Sequence, residues 1–351
     1  METEILIIDK NAVDEEKIAR AGRILQNGGL VAFPTETVYG LGGNALLPDA
    51  SRKIYAAKGR PSDNPLIVHI ADMEHLRPIV TEVPQSAIRL AEVYWPGPLT
   101  MIFNKTDLVP YETSGGLDTV AVRMPSHPVA AALIRAAGGY VAAPSANLSG
   151  RPSTTNAEHV IRDLSGRIDM IIDSGESDIG LESTIVDFTE DVPVILRPGY
   201  INLGMLSEVL GEVKIDPGIL DAAAEKGIRP KAPGMRYRHY APKAGLKIVE
   251  GERGQVISRI QELADAAARE GKRTGIMASD ETAGYYRADV VKDLGSVSRD
   301  EDIAHRLFDA LRQFDDEDMD VIYSEAFDTP RMGQAIMNRL LKAAGHEVIY
   351  V

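Results

Sequence analysis

Several short clusters of hydroxyl, amide and cationic side chains stand at the ends of segments that read as β-strands, which is where open α/β sheets hold ligands. Pro34-Thr35-Glu36-Thr37-Val38-Tyr39-Gly40 follows one such segment, and its hydroxyls and glycine could line a pocket. An ordinary loop would explain the threonines and glycine, but less readily the whole dense run. Lys58-Gly59-Arg60-Pro61-Ser62-Asp63-Asn64-Pro65 puts two cations around a glycine in a loop stiffened by prolines. With Lys as a point charge and Arg as a bidentate fork, this could clamp a polyphosphate; a solvated basic loop is an equal reading. Arg123 ends the run Thr119-Val120-Ala121-Val122, a place suited to a carboxylate or phosphate and equally to a structural ion pair. Ala143-Pro144-Ser145-Ala146-Asn147-Leu148-Ser149-Gly150 offers small donors close to backbone amides, a composition suited to phosphate oxygens. Further on, Glu182-Ser183-Thr184 opens a strand and Arg197-Pro198-Gly199 closes the next.

The elements that must position these clusters follow from hydrophobic periodicity. Ile5 to Asp9, Leu30 to Phe33, Leu66 to Ile70, Leu99 to Phe103, Thr119 to Met124, Tyr140 to Ala143, Met170 to Asp173, Thr184 to Phe188 and Val192 to Leu196 read as strands. Between them, Asp14 to Gln26, Asp49 to Lys58, Gln85 to Val93, Pro128 to Ala137 and Ala157 to Leu164 read as helices, the first stopped by Asn27-Gly28-Gly29. The absence of a strict βαβ repeat predicts a mixed sheet. From Leu246 the alternation resumes, with strands at Leu246 to Val249, Thr274 to Ala278, Val321 to Ser324 and Glu347 to Val351. Helices are expected near Gln255 to Arg269, Asp302 to Phe314 and Gly333 to Ala344, and the acidic run Asp315 to Asp318 is expected at a solvated helix end. Between Glu225 and Glu250 the chain has seven cations, no acidic residue, three prolines and three glycines, the composition of a surface-crossing linker. The expected organisation is a domain over residues 1–210, a linker over 211–245 and a second domain over 246–351.

Composition removes several classes. The 351 residues include no cysteine, which excludes a disulfide scaffold or thiolate metal site. The start is acidic, and no apolar run approaches the ~20 residues a membrane helix needs, so a cytoplasmic protein without membrane attachment is expected. A net charge of −14 argues against broad nucleic-acid binding. Gly40-Leu41-Gly42-Gly43-Asn44-Ala45 matches a dinucleotide fingerprint by letters, yet no helix clearly begins at Ala45. No phosphate-binding GxxxxGK[ST] motif and no close histidine pair occurs, so no protein-held metal is expected.

Taken together, PTETVYGLGGNA, the pair Lys58 and Arg60, and Ser145 with Asn147 in APSANLSG resemble the YrdC-type threonylcarbamoyl-AMP synthases. PGMRYRHYAP at Pro233 to Pro242, followed by an extra α/β domain, resembles the long form of that family. The resemblance implies a twisted mixed sheet with flanking helices, plus a smaller Rossmann-like α/β domain joined by the basic linker. It also implies synthesis of threonylcarbamoyl-adenylate from L-threonine, bicarbonate or carbon dioxide, and ATP, with release of pyrophosphate. A separate transfer complex would pass the product to adenosine 37 of tRNA. The residues suit this chemistry, because attack on an α-phosphate needs cations on the leaving group and accurate positioning rather than covalent help. Lys58, Arg60 and Arg197 would supply charge, Ser145, Asn147 and Asn64 neutral donors, and Mg2+ would accompany ATP as counter-ion. The family pattern puts Thr35 or Thr37, His69, Arg123, Ala143 and Ser183 around threonine, and Thr119 and Ser153 against the nucleotide. Within the linker, Arg236 or Arg238 would face the phosphates and Tyr240 the nucleotide, making it a lid. Two alternatives compete: an RNA-binding module, disfavoured by few aromatics among the cations, and transfer from carbamoyl phosphate, whose proteins carry zinc-finger segments that a cysteine-free chain lacks.

Overall fold

The computed structural model describes residues 2–220, 231–232 and 240–351. Two compact units are present, one formed by residues 1–149, 153–178 and 182–236, the other by 150–152, 179–181 and 237–351. Among the described residues no helix is long and apolar enough to cross a membrane.

The first unit contains, in chain order, β1 (Glu4–Ile7), α1 (Glu15–Gln26), β2 (Val31–Phe33), β3 (Gly40–Asn44), α2 (Pro48–Lys58), β4 (Ile67–His69), α3 (Leu76–Ile79), α4 (Gln85–Tyr94), β5 (Leu99–Asn104), β6 (Thr119–Arg123), α5 (Pro128–Ala136), β7 (Val141–Ala143), α6 (Ala157–Leu164), β8 (Met170–Asp173), β9 (Thr184–Asp187), β10 (Val194–Arg197), α7 (Leu203–Leu210), β11 (Lys214–Ile215) and α8 (Pro217–Leu220). The strands form one eleven-stranded sheet in the order β1-β8-β2-β3-β7-β4-β6-β5-β9-β10-β11. It contains both parallel and antiparallel pairs, so the expected mixed sheet is present. Residues 214 and 215 extend this sheet beside β10, so a stretch expected to belong to the linker is part of the first unit.

One sheet face is covered along most of its width. Ile54 and Tyr55 of α2, Leu90 of α4, Val160 and Leu164 of α6 and Leu206 of α7 pack there on Val68, Val122, Met101 and Val186. On the other face, among the described residues, helices cover one half, where α1 and α5 bury Val31, Phe33, Val141, Met170 and Ile172. Asp14 caps α1, accepting from the backbone amides of Glu16 and Lys17 at 3.1 Å each. The remaining half carries Ile67, Ala121, Ile102, Ile185 and Leu196, packed with Ala232 from the linker.

The glycine-rich run at Gly40 to Asn44 is a strand, not a nucleotide loop. A Cβ on Gly42 would lie 2.9 Å from both the Phe33 ring and Val141, so glycine here permits close sheet packing rather than phosphate approach. That packing removes the dinucleotide reading.

The second unit contains β12 (Gly245–Glu250), α9 (Arg253–Arg269), β13 (Thr274–Ala278), β14 (Val290–Asp293), α10 (Asp300–Asp316), β15 (Val321–Glu325), α11 (Gly333–Ala343) and β16 (Val348–Tyr350). Its five strands are all parallel, in the order β14-β13-β15-β12-β16. Numbered within the unit this is 3-2-4-1-5. The α/β expectation holds, although the Rossmann order 3-2-1-4-5 is not reproduced. Asp315 is buried rather than solvated, because it accepts from the Lys243 amide at 2.6 Å and lies 3.5 Å from Arg151.

The α1–α5 contact yields a stability prediction. Alanine favours a helix over glycine by roughly 1 kcal/mol, but a Cβ on Gly22 would stand 2.6 Å from both the Ala136 Cβ and its carbonyl oxygen. Gly22→Ala should therefore lower stability by about 1–3 kcal/mol, the usual cost of overpacking. Urea unfolding reports it, and a midpoint at or above wild type would show that the two helices separate freely.

Candidate active site

Residues paired across adjacent strands project from the same sheet face. His69 pairs with Arg123 between β4 and β6, and Thr100 pairs with Arg123 between β5 and β6. Ala143 pairs with Ile67 between β7 and β4. Period-two alternation then puts Ala143, His69, Arg123, Ala121, Thr119 and Thr100 on one face, the half-covered one. Thr119 and Arg123 are four residues apart on β6, about 13 Å at the strand rise. The site is thus laid out along the strand axis, with two polar ends and small or apolar residues between.

At one end stand Arg123, His69, Ser183 and Arg197. Arg123 is buried, with its Nη2 2.8 Å from Glu36 and its Nε donating to the Gly97 carbonyl at 3.4 Å. Both sequence readings of Arg123 therefore meet in one residue: it forms a structural ion pair and stands in the site. Ser183 exchanges a 2.7 Å hydrogen bond with Thr100 and accepts from Arg197 Nη2 at 3.1 Å, while Arg197 Nε donates to the Ser183 carbonyl at 3.0 Å. Arg197 pairs with Ile185 across β9 and β10, which puts it with Ser183 and Arg123 rather than with Lys58 and Arg60. His69 is fully enclosed, and burial, aided by the nearby Arg123 charge, pulls its pKa down to about 3. The ring is neutral at physiological pH, and its Nδ1 donates to the Ile67 carbonyl at 3.1 Å.

The loop between β2 and β3 closes this end. Thr35 Oγ1 donates to the Val38 carbonyl at 2.7 Å, accepts from the Thr37 and Val38 amides at 3.2 and 3.3 Å, and lies 2.9 Å from Thr37 Oγ1. This hydroxyl-centred turn fixes the backbone that carries Glu36. Ser153 is fully buried and donates to Glu182 at 2.5 Å, beside Ser183.

At the other end, α2 begins with proline and stops at Gly59, whose φ of 64° lets the chain turn away immediately after Lys58. Lys58 is buried, and its ammonium donates to the carbonyls of Ser145 and Asn147 and, at 3.4 Å, to Asn147 Oδ1. The cation thereby ties the Ser145–Asn147 loop to the helix, a function absent from the clamp expectation. Ser145 Oγ donates to Asn147 Oδ1 at 2.5 Å. Arg60 donates to the Asn64 and Pro65 carbonyls at 3.2 Å each, and the Asn64 side-chain oxygen is buried without a hydrogen bond.

Arg236 and Arg238 lie outside the described residues. Tyr240 is buried within the second unit, its ring centroid 5.1 Å from that of Phe308. Glu36 and Thr100 emerge only in three dimensions. Glu36 stands inside a run already singled out, but the residue that pairs with it is far away in sequence, on β6.

A family model described as telomere recombination, covering Sua5, YciO and YrdC proteins, matches residues 23–199. A second, described as the threonylcarbamoyl-AMP synthase C-terminal domain, matches residues 201–345. The chain is 48% identical over 347 residues to the threonylcarbamoyl-AMP synthase of Pyrococcus abyssi, spanning 99% of each chain. It is 48% identical over 344 residues to that of Bacillus subtilis, spanning 98% of this chain and 97% of the relative. Among solved structures, P. abyssi Sua5 complexed with L-threonine matches with a TM-score of 0.94 at 48% identity, covering 99% of this chain and 100% of that one. With both models and full-length relatives in agreement, the chain belongs to the Sua5/YciO/YrdC family and carries the C-terminal domain of its threonylcarbamoyl-AMP synthases.

Proposed function

We propose that this chain is an L-threonylcarbamoyladenylate synthase, which joins L-threonine, bicarbonate or carbon dioxide, and ATP, and releases pyrophosphate. The observation that carries the reading is one sheet face with an arginine-, histidine- and serine-bearing cluster at one end and a lysine-tied, hydroxyl- and amide-rich loop at the other, in a chain 48% identical over nearly its whole length to named synthases. With bicarbonate, the threonine amine attacks the carbonate carbon and water leaves. A carbamate oxygen then attacks the α-phosphorus of ATP, and the bond to pyrophosphate breaks. Arg123 suits the threonine carboxylate, since neither of its two contacts uses Nη1. Ser183 and the neutral His69 are the groups available to read the hydroxyl, with Thr35, Thr37 and Ala143 as walls. Lys58, Arg60, Asn64, Ser145, Asn147 and Thr119 are assigned to the nucleotide, whose phosphates bring Mg2+ with them; Ser153 and Arg197, expected at the nucleotide from the sequence, stand with Ser183 at the threonine end. The product feeds a separate tRNA-modifying transfer complex, and a cytoplasmic location and little direct RNA binding belong to the same proposal.

The linker reading also gains support. Lys231 lies 3.0 Å from Asp187 and 3.1 Å from Glu190, and Ala232 is buried on the site face with Ile67 and Ala121. Burial would lower the Lys231 pKa, yet the two carboxylates hold it above its ordinary value. Lys231 and Ala232 are therefore docked on the half of the face that carries Ile67 and Ala121, which supports the lid reading. We assign it the role of shielding the reactive adenylate from water.

Pyrophosphate release should require threonine and bicarbonate together, and valine should be rejected by on the order of 10^4-fold, because it leaves a hydroxyl-reading group unpaired. Comparable release with valine and threonine would remove the reading. Arg60→Ala should lose about 2–4 kcal/mol of transition-state stabilisation with little change in stability. Lys58→Ala should lose activity and also about 1–3 kcal/mol of stability, because buried carbonyls lose their donor; unchanged melting would show that the ammonium does not tie the loop. Lys231→Ala should raise the ratio of free AMP to threonylcarbamoyl-adenylate, as read by chromatography of the products, whereas an unaltered ratio would leave the linker without a shielding role.

A further inference from the structure

The proposed reaction leaves unused two buried carboxylates at the threonine end, and of these Glu182 accepts from Ser153 whereas Glu36 faces Arg123. It is 95% buried by its exposure of 5%, on a loop fixed by the Thr35 hydroxyl, with its Oε1 2.8 Å from Arg123 Nη2. At that distance charge attraction is strong, yet the groups are not aligned for hydrogen bonding, and both carboxylate oxygens and Arg123 Nη2 are buried without a hydrogen bond. Beside them is His127, also buried, with neither ring nitrogen hydrogen-bonded. Burial lowers its pKa while the Glu36 charge acts in the opposite direction. A carboxylate kept only to stabilise the fold would be expected to accept hydrogen bonds. The second unit shows such a case: Glu325 accepts from the Ser279 amide, the Thr282 hydroxyl and the Tyr286 hydroxyl at 3.1, 2.8 and 2.6 Å.

An α-amino acid is a zwitterion, whose ammonium and carboxylate are separated by a single carbon. A lone buried arginine would attract any small carboxylate, including hydroxy acids with no amine to carbamoylate. Placing an anion against that arginine cancels its charge, so beside this pair an incoming simple carboxylate adds uncompensated negative charge and a zwitterion does not. The field of a unit charge acts over several ångströms in a poorly solvated site and needs no direct contact with the ligand.

We propose that Glu36 is a specificity-determining residue, whose negative charge beside Arg123 makes the site select a zwitterionic amino acid over a carboxylic acid lacking the amine. This rests on the threonine reading above. The probes are L-threonine and 3-hydroxybutyrate, the same skeleton without the amino group, with binding measured by calorimetry. Wild type should prefer threonine clearly, and Glu36→Gln should shrink the threonine to 3-hydroxybutyrate affinity ratio by about tenfold or more, the scale of a nearby unit charge. Glu36→Asp, which keeps the charge, should retain most of the ratio. A merely structural role would weaken both ligands alike, so an unchanged ratio in Glu36→Gln, or equal loss of the ratio in Asp and Gln variants, overturns the inference. Should Glu36→Gln fail to fold, wild type still decides: equal affinity for the two ligands overturns it. Wild-type protein that binds no threonine at all would overturn the functional reading and this inference with it.

Discussion

The register of β6 between β4 and β5 is the constraint on which the site depends. Arg123 stands opposite His69 on one side and Thr100 on the other. A slip of one residue would turn Arg123 into the covered face, among Val68, Met101 and Phe103, where a guanidinium would have no counter-charge. The apolar residues Val120 and Val122 prevent that slip by filling the covered face between them. Alternation therefore does two things at once: it builds the core on one side, and on the other it leaves a surface of Ala121, Ala143 and Ile67 small enough to admit ligands.

Among the described residues, helices cover one half of that surface. α1 and α5 lie over the β1 to β7 half, held close by Gly22. Over the other half the described covering is Ala232, brought there by a segment whose preceding lysine is clasped by Asp187 and Glu190. Of these two ion pairs, the one to Asp187 reaches a buried carboxylate and the one to Glu190 an exposed one, and exposed pairs contribute little in water.

The buried cations of the site are all held by internal partners of different strength. Lys58 is bound by carbonyl groups, Arg197 by the hydroxyl and carbonyl of Ser183, and Arg123 by a long hydrogen bond to the Gly97 carbonyl and by the Glu36 charge, with which it has no hydrogen-bond alignment. Burying a charge is costly unless it is paired, so each cation must keep a partner before substrate arrives. The imperfect pairing at Arg123 leaves the most to gain from an incoming carboxylate. The neutral, enclosed His69 beside it adds polarity without adding charge.

Much of this was legible from local pattern. The strands carrying Arg123, Ala143 and Arg197, the strand that Ser183 precedes, and the helix ending at Lys58 follow from runs of apolar residues and from stop signals such as Gly59, which act over a few residues. The motif runs named the candidate residues for the same reason: their types are unusual at strand ends. Tertiary structure alone decided the rest. Gly40 to Asn44 is a strand because Phe33 and Val141 press against it, not because its own residues favour β structure. Asp315 is buried because Lys243 and Arg151, distant in sequence, meet it. The pairing of Glu36 with Arg123, the tying of the Ser145 loop by Lys58 and the division of the site into two ends arise from sheet order and register, which are long-range properties that local periodicity does not encode.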